Sequence, residues 1–191
     1  GNTEIVAGVK FTVGDPFSDT PYEGVLMVSA ELLPLASPEF EPGPPGIQGI
    51  ELSRVVDRAI RESKAIDFKK LAISEEKVWM VNVDIDVLDD DGNLIDASCL
   101  AAVAALRSAQ IPALEDGEIN TEKKTGPIPM EGTPVSTTFV KLGDRIAVDP
   151  NIAEVKALEA RLTIGTIDKD GAIKLCSMQK GGSGGFSMDE V

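Results

Sequence analysis

Five prolines and two glycines fall within the stretch from Pro34 to Gly46, at Pro34, Pro38, Pro42, Gly43, Pro44, Pro45 and Gly46. Proline fixes φ and lacks a backbone N–H, so this stretch can be neither a helix interior nor a central strand. Every fold open to the chain must carry a loop here. A linker between independent domains is the alternative. The strand pattern before the segment and the helix pattern after it are each one-sided, however, and need a common partner, which favours a loop inside one domain.

Upstream, Glu4 to Val13 and Gly24 to Leu32 are β-branched apolar runs joined by the turn-rich Asp15 to Pro21, and they read as neighbouring strands. Downstream, Leu52, Val55, Val56, Ala59 and Ile60 recur at the spacing of a buried stripe and predict a helix over Ile50 to Ala65. Arg54, Arg58 and Arg61 lie at about 180 to 240° from the centre of that stripe, so all three leave the opposite face. Lys77 to Leu88 suits a central strand, and Asp89 to Asn93 turns the chain. Asp96 is a suitable N-cap for a core helix over Ala97 to Ala109, which is apolar nearly all round.

Residues 115–131 are polar, with Gly117, Gly126, Pro127 and Pro129, and read as a surface excursion. Val135 to Leu142, Arg145 to Val148, Ala157 to Ile167 and Ala172 to Met178 are strands suited to an antiparallel meander. Gly181 to Gly185 then reads as a hinge, and residues 180–191 as the start of a C-terminal helix capped by Ser187. The expectation is an α/β (α+β) fold, a mixed β-sheet with packed helices, in a single domain over 1–191.

The chain has no histidine, which excludes Ser-His-Asp and Cys-His nucleophiles, HExxH zinc sites and facial triads. Cys99 and Cys176 sit far apart in apolar patterns and read as reduced core residues. The formal charge of −14 repels polyanions on average, so a nucleic acid must meet a local basic patch or another subunit. No apolar run approaches a membrane span and the first residues lack the regions of a signal peptide, so the expected location is cytoplasmic, with no membrane partner.

Three features could carry chemistry. Asp84, Asp86, Asp89, Asp90 and Asp91 offer the oxygen ligands that hard cations need, but an EF-hand register fails at Val87 and Ser98, and a solvated turn is the plainer reading. Gly181 to Gly185 lacks the Lys-Ser/Thr of a P-loop and a complete G-x-G-x-x-G. The arginine row is the sharper signal, since guanidinium forks on one helix face suit phosphate oxygens. Asp57, Glu51 and Glu62 flank that face and could instead pair with the arginines.

Several strings together resemble one family. They are Gly1-Asn2-Thr3 through Gly8-Val9-Lys10, Leu32 to Pro38 with Phe40 to Pro45, Arg54-Val55-Val56-Asp57-Arg58, and Val87-Leu88-Asp89 through Gly92 to Ala97. The family is that of the RNase PH-like subunits of the archaeal exosome, and the likeness is to the non-catalytic one of its two ring-forming subunits. The resemblance implies further strands before Gly1 and a completed helix after Val191, so that the chain is a fragment truncated at both ends.

The resemblance also implies a hexameric ring of heterodimers with a catalytic RNase PH-like exosome subunit, topped by RNA-binding cap subunits. Such a ring degrades single-stranded RNA from its 3′ end by phosphorolysis. Catalytic relatives hold the attacking phosphate with a hydroxyl and an arginine where this chain has Leu94 and Ile95. They also carry two aspartates six positions apart, where Asp149 is followed by Val155. The implied role is a non-catalytic subunit with no catalytic residues, no metal and no cofactor of its own. Arg54 and Arg58 match the family's RNA-binding positions, and Arg61 extends the set by helical geometry. Two other readings stay open: an active phosphorolytic 3′–5′ exoribonuclease, and a metal- or small-ligand-binding α/β protein built on Asp84 to Asp91.

Overall fold

Val81, Val83, Ile85 and Val87 are all buried along one face of strand β3 (Val78–Asp89), and that continuous apolar face makes it the centre of the first sheet. Strand β1 (Glu4–Gly14) pairs antiparallel with it along its whole length, and strand β2 (Val25–Leu32) pairs parallel on the other side. The structure, a computed structural model, describes every residue except Met188 and Val191.

The order β1-β3-β2 corrects the expectation that β1 and β2 are neighbours. Parallel partners need a long crossover. Here the proline-rich loop and helix α1 (Ile47–Glu62) provide it between β2 and β3, which leaves the central place to the strand with the most apolar inner face. The loop itself is tied down, because Ala36 is buried, its carbonyl accepts from Asp90 N (3.2 Å), and Glu39 pairs with Lys156 at 2.6 Å.

Helix α2 (Leu94–Ser108) starts before the expected cap. Asn93, in the left-handed region at φ 51°, is the N-cap residue, and Asp96 lies inside the first turn. Its carboxylate reaches across to the second sheet, accepting from Thr138 N (2.8 Å) and Thr138 Oγ1 (2.7 Å). That sheet has the order β7-β6-β8-β9, built from β6 (Pro134–Leu142), β7 (Arg145–Val148), β8 (Ala160–Lys169) and β9 (Ala172–Gly182). Helices α1 and α2 lie between the two sheets, touching strands of both, which accounts for the apolar character of α2 on more than one side.

Two further expectations are corrected, those for the second sheet and for Gly181 to Gly185. Residues 115–131 carry regular structure at the surface: β4 (Gln110–Glu115) and β5 (Glu118–Pro127) form a two-stranded, largely exposed ribbon around Asp116-Gly117, both at positive φ. That is the Asp-Gly hairpin chemistry of a type I′ turn, and the polar composition reflects a strand with little burial on either face. The second sheet is not a simple meander, because β8 pairs with β6 and not with β7. A short helix α3 (Ile152–Ala157), closed by a capping box between Asn151 and Glu154, carries the chain between β7 and β8.

Finally, Gly181 and Gly182 are the end of β9, not a hinge or a helix start. They pair with Arg161 and Ala160, and Gly184 N donates to Glu159 O at 2.8 Å, so the backbone here is held by β8 and its approach. The expected helix after Ser187 includes Met188 and Val191, which lie outside the described residues. Cys99 is buried, Cys176 is only partly so, and both are free thiols. No helix among the described residues is long and apolar enough to cross a membrane.

Candidate nucleic-acid interface

The stripe Leu52, Val55, Val56, Ala59 and Ile60 is buried between the sheets, and that fixes the rotation of α1. Arg54, Arg58 and Arg61 are consequently exposed on its outer side. Their surroundings differ. Arg61 donates from Nε to Asp57 Oδ2 (3.1 Å) and from Nη2 to Asp57 Oδ1 (2.6 Å), and Nη2 also donates to the Leu26 carbonyl of β2 (2.9 Å). The Asp57 hydrogen bonds raise the Arg61 pKa further above its ordinary value, against the opposing effect of burial.

Arg58 makes one long contact, 3.5 Å from Nη1 to Gln179 Oε1 on β9, and Arg54 has neither a hydrogen bond nor an ion pair among the described residues. Both line a shallow hollow of about 180 Å³ with Val28, Ser53 and Asp57. Glu51, which could have neutralised the row, is turned away to pair with Arg161 of β8. Two guanidinium groups with no ion pair among the described residues, one helical turn apart and about 6 Å along the axis, can each donate to a pair of phosphate oxygens. Gln179 escaped the sequence reading because nothing in the local spacing of β9 signals a partner on α1.

Leu94, Ile95 and Val155 come together in a separate cavity of about 270 Å³, whose wall also includes Leu52, Phe40 and Val140. Arg161 and Lys156 are the cations at its wall, and they are engaged by Glu51 and Glu39. Thr138 Oγ1, a hydroxyl on its wall, donates to Asp96 and lies at hydrogen-bond distance, 2.9 Å, from Thr163 Oγ1. Asp149 does not line this cavity; it accepts from Asn93 Nδ2 (2.8 Å) beside a neighbouring cleft. The wall is thus apolar at Leu94, Ile95 and Val155, with Gln48, Asp90 and Asn93 among its other polar lining. Burial pushes the Asp96 carboxyl up, with hydrogen bonds from Thr138 and Asn93 opposing it, and burial likewise pushes up the Cys99 thiol.

The acidic group is dispersed by the fold. Asp84 and Asp86 sit on the outer face of β3, where Asp84 accepts from Ser29 Oγ (2.6 Å), while Asp90 accepts from Gly92 N and Asp91 from Asn2 N. Among the described residues no group of acidic or sulfur side chains is arranged to hold a metal ion.

Comparison with known proteins agrees with this architecture. Residues 1–112 match the 3′ exoribonuclease family, domain 1, and residues 132–191 match domain 2 of the same family. The chain is 52% identical over 196 residues to the exosome complex component Rrp42 of Methanothermobacter thermautotrophicus, covering all of this chain and 71% of that protein. It is 51% identical over 191 residues to its counterpart from Archaeoglobus fulgidus, covering 70% of that protein. Among solved structures, a chain of the Archaeoglobus fulgidus exosome with RNA bound to the active site superposes with a TM-score of 0.89 at 48% identity, over 99% of this chain and 72% of that one. A chain of an archaeal exosome core superposes with a TM-score of 0.84 at 43% identity, over 99% and 70%. By sequence and by fold, this chain belongs to the RNase PH-like 3′ exoribonuclease family.

Proposed function

We propose that this chain is a non-catalytic ring subunit of an RNA exosome, which holds single-stranded RNA for a catalytic RNase PH-like partner during phosphorolytic 3′-to-5′ degradation. One observation carries the reading: Arg54 and Arg58 stand on an exposed helix face with no ion pair among the described residues, while Leu94, Ile95 and Val155 line the cavity where attacking phosphate would need polar groups. Heterodimers assembled into a hexameric ring, with RNA-binding caps, supply the remaining positive charge that a chain of net charge −14 lacks. Residues 1–191 act in this assembly as one unit, because α1 and α2 bridge the two sheets.

Photo-crosslinking of 4-thiouridine RNA to the assembled full-length complex tests the proposal. Adducts on the α1 segment that carries Ser53 to Arg58 are expected. Adducts confined to the partner, or to the walls of the Leu94-Ile95-Val155 cavity, contradict it.

A further inference from the structure

Asp57 stands in the middle of the arginine row, three residues after Arg54 and next to Arg58, and a free carboxylate there would compete with RNA phosphates for both. It is not free. Both of its oxygens are occupied by the Arg61 guanidinium in a two-point clamp, and the same guanidinium is fixed from behind by the Leu26 carbonyl on β2, the outer strand of its sheet. A planar fork with three hydrogen bonds to two different elements has little rotational freedom left, so the carboxylate, although it lines the same hollow as Arg54 and Arg58, is held on Arg61 and forms no ion pair with either of them among the described residues. No other cation pairs with Asp57 among the described residues.

We propose that Arg61 is a positioning residue: by holding both oxygens of Asp57 it keeps that carboxylate off Arg54 and Arg58, which stay open to RNA phosphates. The inference rests on the reading that Arg54 and Arg58 contact RNA, and it gives Arg61 a task different from theirs. Arg61 in this role touches no RNA. Its loss frees Asp57 to pair with Arg54 at the i, i+3 spacing and leaves one uncompensated negative charge beside the RNA path. An exposed pair of this kind is worth up to about 1 kcal/mol, or about fivefold in affinity.

The test is a double-mutant cycle on the assembled full-length complex, read as equilibrium affinity for a single-stranded RNA oligonucleotide, with gel filtration to confirm assembly. Arg61→Ala is expected to weaken binding by about three- to fivefold, and adding Asp57→Asn is expected to restore it to within about twofold of the unsubstituted complex. An Arg61→Ala loss of the same size in the Asp57→Asn background, measured against Asp57→Asn alone, would overturn the proposal, because a direct RNA contact and a bare strut to β2 both predict the same loss with and without the carboxylate. An Arg61→Ala complex that binds RNA unchanged would overturn it as well. If Arg61→Ala does not assemble, Arg61→Gln keeps a donor for the Leu26 carbonyl while removing the charged clamp, and the same rescue by Asp57→Asn is required. Arg54→Ala with Arg58→Ala runs in parallel. Unchanged affinity in that pair removes the RNA reading and the inference together, whereas weakened binding there without rescue at Arg61 removes the inference alone.

Discussion

Complexes carrying Arg54→Glu and Arg58→Glu are expected to bind single-stranded RNA about 25-fold more weakly at 0.1 M salt than unsubstituted complexes, while remaining assembled. Each phosphate neutralised on a single strand contributes about −0.7 to the slope of log affinity against log salt, so two lost contacts flatten the slope by about 1.4, and one decade of salt below 1 M converts that into about 25-fold. Assembly should survive because both side chains leave α1 opposite its buried stripe and neither carries an ion pair among the described residues. A control arginine must lie away from both sites, which excludes Arg161, since it pairs with Glu51 and lines the cavity. Arg145, exposed on β7 at the far edge of the second sheet from β9, serves instead, and Arg145→Glu should leave the slope in place. A double charge reversal that alters neither affinity nor slope would reduce the row to a solvated surface.

The largest expected effect on stability lies at Gly92. Its φ of 92° is strained for any L residue, and a Cβ there would stand 2.5 Å from Pro150 O, 2.6 Å from Asn151 C and 2.8 Å from Ile152 N. These contacts are backbone atoms at the start of α3 and cannot swing aside. Gly92→Val combines backbone strain with overpacking, at least about 3 kcal/mol in total. At about 2 to 4 °C per kcal/mol for a chain of this size, thermal unfolding should move down by at least about 6 °C. Gly117, at φ 84° with open space around its Cβ position, isolates the conformational part. Gly117→Val should cost clearly less than Gly92→Val, and equal shifts in circular-dichroism melting would mean that the approach of α3 to the β3–α2 turn is looser than described.

The helix face was legible because a 3.6-residue stripe is written in consecutive positions, and Leu52, Val55, Val56, Ala59 and Ile60 are all buried, joined by Gly49 in the first turn of α1. The central strand was legible for the same kind of reason, since the apolar run of β3 has nowhere else to go. Pairing was not. That β1 and β2 flank β3 depends on a crossover through α1, and adjacency in sequence carries no information about it. β5 was hidden by its polarity, although the Asp116-Gly117 turn announced a hairpin, and α3 was missed although Asn151 and Glu154 stood at capping-box spacing. In the candidate site, the Asp57 neighbourhood could be seen as i, i+4 spacing to Arg61, but the Leu26 carbonyl that decides which arginine Asp57 takes comes from a distant strand. That Leu94, Ile95 and Val155 line one cavity was not legible in the sequence, because α2 and α3 are brought together only by the fold.

The most direct measurement is phosphate-dependent release of nucleoside diphosphates from single-stranded RNA, by the purified full-length protein alone and by its complex with a catalytic RNase PH-like partner. Leu94, Ile95 and Val155 put apolar side chains on the cavity wall and Asp149 lies outside it, so on the proposed reading the protein alone should release none and the complex should be active. Release by the protein alone that persists through purification from contaminating nucleases, and that disappears on Asp149→Ala, would contradict the non-catalytic account.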